Sequence, residues 1–190
     1  MRKVLALLLS VVMALSLMVT TAWADPVEQD LDGKTVILHT NDVHGEIARY
    51  AKVAALKAEL KARGADVILV DAGDYSQGTI YVSVNKGADA VTMMNAAGYD
   101  LATIGNHEFD YGMDRAKAIM KEADFPYLSC NWVDLRTTLR VLPSVKVFVR
   151  GGRRIAFVGV TTPETFTKST PAYFMNDAQT KYCLLYTSPS

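Results

Sequence analysis

The sequence predicts an α/β fold built around a parallel β-sheet. Two patterns carry that prediction. Short apolar, β-branched runs (KTVILH, DVILV and DLATI) recur along the chain with stretches rich in Ala, Leu, Lys and Glu between them, the alternation that a parallel sheet with crossover helices requires. Each run is also followed at once by a burst of Asp, His or Asn beside glycine, and in parallel sheets ligands collect beyond the carboxyl ends of the strands. Composition agrees, since half of the 190 residues are hydrophobic, enough for a sizeable core. Lys+Arg and Asp+Glu balance at 20 each, which excludes a disordered polyion and gives no basic surface for nucleic acid.

The elements follow in order. Lys34 to His39 reads as a buried strand. Glu46 to Arg63 lacks Pro and Gly and is closed by Gly64, a helix with a C-terminal stop. Asp66 to Val70 is the second strand, Gly87 to Ala97 the second helix with Gly98 behind it, and Asp100 to Ile104 the third strand. Met113 to Ala123 is a third helix, and Pro126 to Ser129 opens a short fourth strand. Beyond it, Val145 to Val149 and Arg153 to Val160 flank Gly151-Gly152, a hairpin signal. Neither an internal repeat nor a low-complexity segment interrupts the pattern.

The two ends read differently. Arg2 and Lys3 precede a charge-free stretch that leads to Ala22-Trp23-Ala24 and then Asp25. That is a signal peptide over residues 1–24 with a small-residue cleavage site, so the mature protein is expected outside the cytoplasm, periplasmic, extracellular or wall-associated, with no stable membrane span. The last eight residues, CLLYTSPS, break the preceding pattern and resemble the translation of an adapter used to build sequencing libraries, so 183–190 is set aside as a sequencing-adapter artefact. Cys130 is then the only cysteine of the natural chain, which rules out an internal disulfide framework. With Arg2 and Lys3 removed from the 20 basic residues, 18 remain against 20 acidic ones.

The residues at the three strand ends are the chemically pointed part. Asn41-Asp42-Val43-His44-Gly45 follows the first strand, Asp71-Ala72-Gly73-Asp74 the second, and Gly105-Asn106-His107-Glu108-Phe109-Asp110 the third. Asp42 and His44 are two apart, so on an extended segment both side chains point the same way. A carboxylate with an imidazole suits a divalent ion such as Zn, Mn, Fe or Co. Singly, each motif has a bland explanation as a turn or a helix cap. Their joint occurrence at consecutive strand ends makes one site the better account. Glu108 is expected to face away or to cap the next helix, His39 to be structural, and Cys130 to be core.

LHTNDVHG, DAGDYSQGT and GNHEFDYG resemble the first three motifs of the calcineurin-like metallophosphoesterases, and most closely the exported 5′-nucleotidase branch with its UDP-sugar hydrolases and cyclic-nucleotide phosphodiesterases. The likeness runs from about Thr35 to Phe174. It implies the α/β/β/α sheet sandwich of that superfamily, with residues 25–182 forming the N-terminal part of its catalytic domain. It implies two divalent metal ions: Asp42 and His44 on the first, Asp74 shared by both, and Asn106 on the second. His107 would be the catalytic histidine and Asp110 the carboxylate that orients it. The substrate would be a small-molecule phosphoester, most closely a nucleotide.

The chain departs from the pattern in two ways. The family completes its metal site with later histidines, whereas the three histidines here end at His107. The nucleotidase branch also has a C-terminal substrate-binding domain that this sequence does not contain. The expectation is therefore an exported phosphoester hydrolase, of which this segment alone is inactive or nearly so. Two other readings stay open: a sugar-phosphate, phosphoglycerate or cyclic-nucleotide esterase or thiosulfohydrolase on the same site, and an inactive binding scaffold.

Overall fold

The structure is a computed structural model that describes residues 30–175 and the backbone of Cys183–Leu185. The proposed signal peptide lies outside the described residues. Among those residues, no helix is long and apolar enough to cross a membrane.

Four parallel strands form the centre: β1 (Thr35–Thr40), β2 (Asp66–Asp71), β3 (Leu101–Thr103) and β4 (Tyr127–Leu128), in the spatial order β1-β2-β3-β4. The register sets Thr40 beside Asp71 and Asp71 beside Ala102, so the carboxyl ends of the first three strands are level. Their polar loops therefore start from one edge. The crossovers are α1 (Ile47–Ala62), α3 (Ala88–Ala97) and α4 (Met113–Lys121), with a one-turn α2 (Ile80–Ser83) before α3. Because successive strands are neighbours, each crossover returns on the same side. The main core lies on that side: Leu69, Ala102 and Tyr127 from the sheet pack with Tyr50, Val91, Met94, Ala116 and Ile119 from the helices. Lys57 of α1 ties this layer to the sheet, donating to the Gly98 carbonyl and to Asp100 Oδ2 at 2.9 Å.

The other face carries β7 (Val145–Arg150) and β8 (Arg153–Val158), joined as an antiparallel hairpin. Arg150 pairs with Arg153, so the loop is the two-residue Gly151-Gly152 turn, with φ of 51° and 74°. Positive φ at both loop residues is what a type I′ turn demands, and glycine meets it without strain. The hairpin approaches the sheet closely: Cys130 N–H donates to the Gly159 carbonyl at 2.8 Å, and Arg150 pairs with Asp66 at 3.2 Å. A cavity of about 160 Å³ between the two layers is lined by Val70, Leu101, Leu128 and Phe157. The hairpin leaves the outer side of the edge strand β1 bare, so Ile37 is 48% exposed and His39 is exposed too.

The helices, the parallel strands and the hairpin agree with the expected mixed α/β architecture. The sequence reading missed α2, β5 (Trp132–Asp134), β6 (Leu139–Arg140) and α5 (Thr165–Lys168), all too short to show a period. Cys183–Leu185, set aside on sequence grounds, pairs antiparallel with β5 as strand β9. Cys130 is half-buried with a free thiol.

Candidate metal centre

The loop after β1 is a turn and not the extended segment expected. Asp42 and His44 both have left-handed backbone, with φ of 51° and 48°. Val43, 2% exposed, is the apolar anchor between them. Two hydrogen bonds hold the turn against the loop after β2: Asp42 N–H to the Gly73 carbonyl and His44 N–H to the Asp74 carbonyl, both at 3.0 Å. The side chains converge nonetheless, His44 Nε2 lying 3.8 Å from Asp42 Oδ1. Non-glycine residues at positive φ are strained, and such strain persists where the surroundings over-determine it, often at functional sites.

Asp74 is the third such residue, with φ of 61°. Its approach depends on glycine at two positions. A Cβ on Gly73 would stand 2.2 Å from the Gly105 nitrogen, and one on Gly105 would stand 2.2 Å from Asp74 Oδ1. With only hydrogens there, the loops after β2 and β3 touch backbone to backbone. One ligand atom each from Asp42, His44 and Asp74 then falls within 4.8 Å of the others.

This donor set fits a divalent cation. His44 Nδ1 lies 3.0 Å from the Gln77 carbonyl, which can only accept, so Nδ1 carries the proton and Nε2 keeps its lone pair on the Asp42 side. Asn41 donates from Nδ2 to Asp42 Oδ2 at 2.6 Å, orienting that carboxylate from behind.

The loop after β3 winds into a single 3₁₀ turn, His107–Phe109. Phe109 is fully buried, edge-on to Trp132 at 5.1 Å and against Phe174 at 5.0 Å, and this aromatic anchor fixes the turn. His107 faces the site with its ring edge-on to that of His44, centroids 4.9 Å apart. Its Nδ1 lies 2.6 Å from Asp110 Oδ2, and Ser169 Oγ donates to Asp110 Oδ1 at 3.3 Å. Burial pulls the His107 pKa down, but the hydrogen bond and charge of Asp110, with the charges of Asp74 and Glu108, shift it upward on balance. Asn106 caps this turn, its carbonyl accepting from Phe109 N–H at 3.2 Å. Asn106 is half-buried, beside Gly105, which touches Asp74.

All six residues singled out in the sequence thus sit on the three loops at one sheet edge. Glu108 does not behave as expected. It is 2% exposed and turns inward, accepting from the N–H groups of Asp74, Tyr75, Ser76 and Gly105. The sequence reading failed because adjacent residues of a 3₁₀ turn point a third of a turn apart, so both Glu108 and Phe109 can be inside while His107 is not. Ser169, 59 residues from Asp110, carries no local signal at all.

Asp71, at the end of β2, is 3% exposed and accepts from Thr40 Oγ1 at 2.5 Å and Gly73 N–H at 2.8 Å. Burial pushes its pKa up to about 7 against the pull of those two donors. The folded chain therefore holds this proton to about pH 7, whereas an unfolded chain releases it near pH 4. The stabilisation is full below the unfolded value and is lost as pH rises through the folded one. Urea unfolding in EDTA should show the wild type losing on the order of 2 kcal/mol relative to Asp71→Asn between pH 5 and 7.5. Parallel stability curves for the two proteins would exclude the protonated buried carboxyl.

Fold and site together define an α/β protein with a carboxylate and imidazole cluster, suited to divalent metal, at the carboxyl edge of a parallel sheet. The chain belongs to the calcineurin-like phosphoesterase family, whose profile matches residues 35–182. Its relatives include a snake venom 5′-nucleotidase from Gloydius brevicauda, 35% identical across 73% of this chain and 27% of the relative. A 5′-nucleotidase from Vibrio vulnificus is 32% identical across 81% and 29%, and protein UshA from Escherichia coli is 34% identical across 77% and 29%. Among solved structures, the 5′-nucleotidase precursor from Thermus thermophilus superposes with a TM-score of 0.64 and 26% identity, over 80% of this chain and 31% of that one. The calcineurin-like phosphoesterase YfkN from Bacillus subtilis gives 0.62 and 23%, over 78% and 53%. The chain spans between 27% and 29% of the length of these three sequence relatives.

Proposed function

We infer that the protein is an exported, metal-dependent phosphoester hydrolase that releases phosphate from 5′-nucleotides. The observation that carries this reading is the meeting of Asp42, His44 and Asp74 with the His107–Asp110 pair on three consecutive strand-end loops. Membership of the phosphoesterase family supports the reaction class, and the nucleotidase relatives support the substrate. Residues 1–24 are read as the leader that exports the domain.

In this reading Asp42 and His44 hold one divalent cation, Asp74 is shared, and Asn106 serves a second. Such ions supply Lewis-acid charge against phosphoryl oxygens and make water acidic enough to act as a nucleophile near neutral pH. The chain's own residues do the rest. Gln77 keeps His44 in the tautomer that presents Nε2. Asp110 takes Nδ1–H of His107, which leaves Nε2 to face the phosphoryl group or to give its proton to the departing oxygen. The bond to Asp110 favours the cationic form of the ring, the form that role needs. Recognition of the base is assigned to parts of the protein outside these loops.

The test is phosphate release from AMP by the gene product in EDTA and after return of Mn²⁺, Co²⁺ or Zn²⁺. Metal-dependent, saturable release supports the reading, and full activity in EDTA overturns it. The segment 25–182 alone should be nearly inactive, because the second ion is assigned only Asn106 and the shared Asp74 within it. Fast, saturable hydrolysis by that segment would show that the residues named here suffice.

A further inference from the structure

Glu108 stands outside every role assigned so far, yet among the described residues it is the charged side chain most enclosed by backbone donors. Glu108 Oε1 accepts from Tyr75 N–H at 3.0 Å and Ser76 N–H at 3.2 Å, and Oε2 accepts from Asp74 N–H at 2.9 Å and Gly105 N–H at 2.7 Å. Three successive N–H groups, those of Asp74, Tyr75 and Ser76, converge because Asp74 is left-handed. Converging N–H groups of this kind make a concavity for anions, and here the protein's own carboxylate fills it. Asp74 returns the bond, its Oδ1 accepting from the N–H of His107, the residue next to Glu108, at 2.8 Å. Each loop thus sends a carboxylate into the backbone of the other.

We propose that Glu108 is the positioning residue of the metal centre: it locks the loop after β2 to the loop after β3, holds Asp74 in its left-handed conformation, and so aims the Asp74 carboxylate at Asp42 and His44. The alternative, that Glu108 merely adds stability, is weaker on geometry. Its bonds go to the residue whose carboxylate completes the cluster and to the glycine that touches it. The lock consumes the Asp74 N–H, while the Asp74 carbonyl accepts from His44 N–H at 3.0 Å. The proposal rests on the metal reading above for its consequence, but not for the lock itself.

Two variants test it. Glu108→Gln keeps the length but turns an NH₂ toward one pair of N–H donors, and Glu108→Asp keeps the charge but cannot span all four. Val67→Ala, in the separate small cluster at the start of β2 and at the end of that strand opposite the loops, serves as a comparator for a general loss of stability. Amide hydrogen exchange is measured on the metal-free chain, followed by Co²⁺ titration read by visible absorption. Both Glu108 variants should lose protection at His107 and Gly105 by at least about tenfold while Ile68 and Leu69 in β2 keep theirs, and Co²⁺ should bind about 10–100-fold more weakly with a changed absorption band, the usual range for a ligand's supporting partner. The comparator should shift all amides together and leave the Co²⁺ band alone. Unchanged exchange at His107 overturns the lock. Lost protection with Co²⁺ affinity and band intact overturns the positioning role. If the wild type binds no Co²⁺, the metal reading fails, and exchange at His107 still decides the lock.

Discussion

His107→Asn should lower kcat by about 10²–10⁴-fold, the range for one positioned acid–base residue, while metal content stays at the wild-type level. The experiment needs a catalytically competent protein that contains this segment, with metal measured by elemental analysis beside kcat. The separation of the two effects follows from the geometry. His107 Nδ1 is committed to Asp110 at 2.6 Å, and its ring meets the His44 ring edge-on instead of joining the Asp42, His44 and Asp74 cluster. Asparagine retains the backbone N–H that bonds Asp74 Oδ1, so the carboxylate keeps its aim. Asp110→Asn should cost less, because it removes the support of the imidazole and not the imidazole itself. Asn106→Ala should show the opposite pattern, losing metal and recovering part of the rate when metal is added in excess. Loss of metal in step with activity in His107→Asn would make His107 a ligand and overturn this division of labour.

Gly73→Ala should be strongly disruptive, by about 3–5 kcal/mol, combining backbone strain with overpacking. Gly73 has φ of 102°, which L side chains rarely adopt, and a Cβ there would lie 2.2 Å from Gly105 N and 2.8 Å from Gly105 Cα. Those atoms are backbone and cannot swing aside, so the loops after β2 and β3 must part. Parting them breaks the bonds from Asp74 N–H to Glu108 and from His107 N–H to Asp74 Oδ1. Gly33→Ala is the comparator: its φ is also positive, at 67°, but nothing lies within 4 Å, so it carries strain alone. Thermal unfolding of both variants, with Co²⁺ binding below the transition, measures the difference. Equal stability losses at the two positions would show that the close approach of the loops contributes nothing.

Much of this was legible in the chain. The long helices closed at Gly64 and Gly98 as read, because an uninterrupted run of good helix formers against a glycine stop is a local signal. The three polar bursts after β-branched runs come together at one sheet edge as read, since a parallel sheet carries such loops to one edge. The short pieces β5 and β6 were not legible, because two or three residues cannot display a period.

What the sequence determined by itself is the alternation of strand and helix, the polar residues at the ends of the first three strands, and the family to which those motifs point. What only the tertiary structure decided is how the residues are aimed. Asp42, His44 and Asp74 converge through left-handed backbone that loop-to-loop hydrogen bonds impose, and not through the alternation of an extended strand. Glu108 is buried because four N–H groups from residues 3 to 34 positions away need an acceptor there, and Asp110 is braced by a serine 59 residues on. Local propensity acts over a few neighbouring residues, whereas these bonds exist only once the sheet has set the loops side by side; that is why composition and spacing could name the site but not orient it.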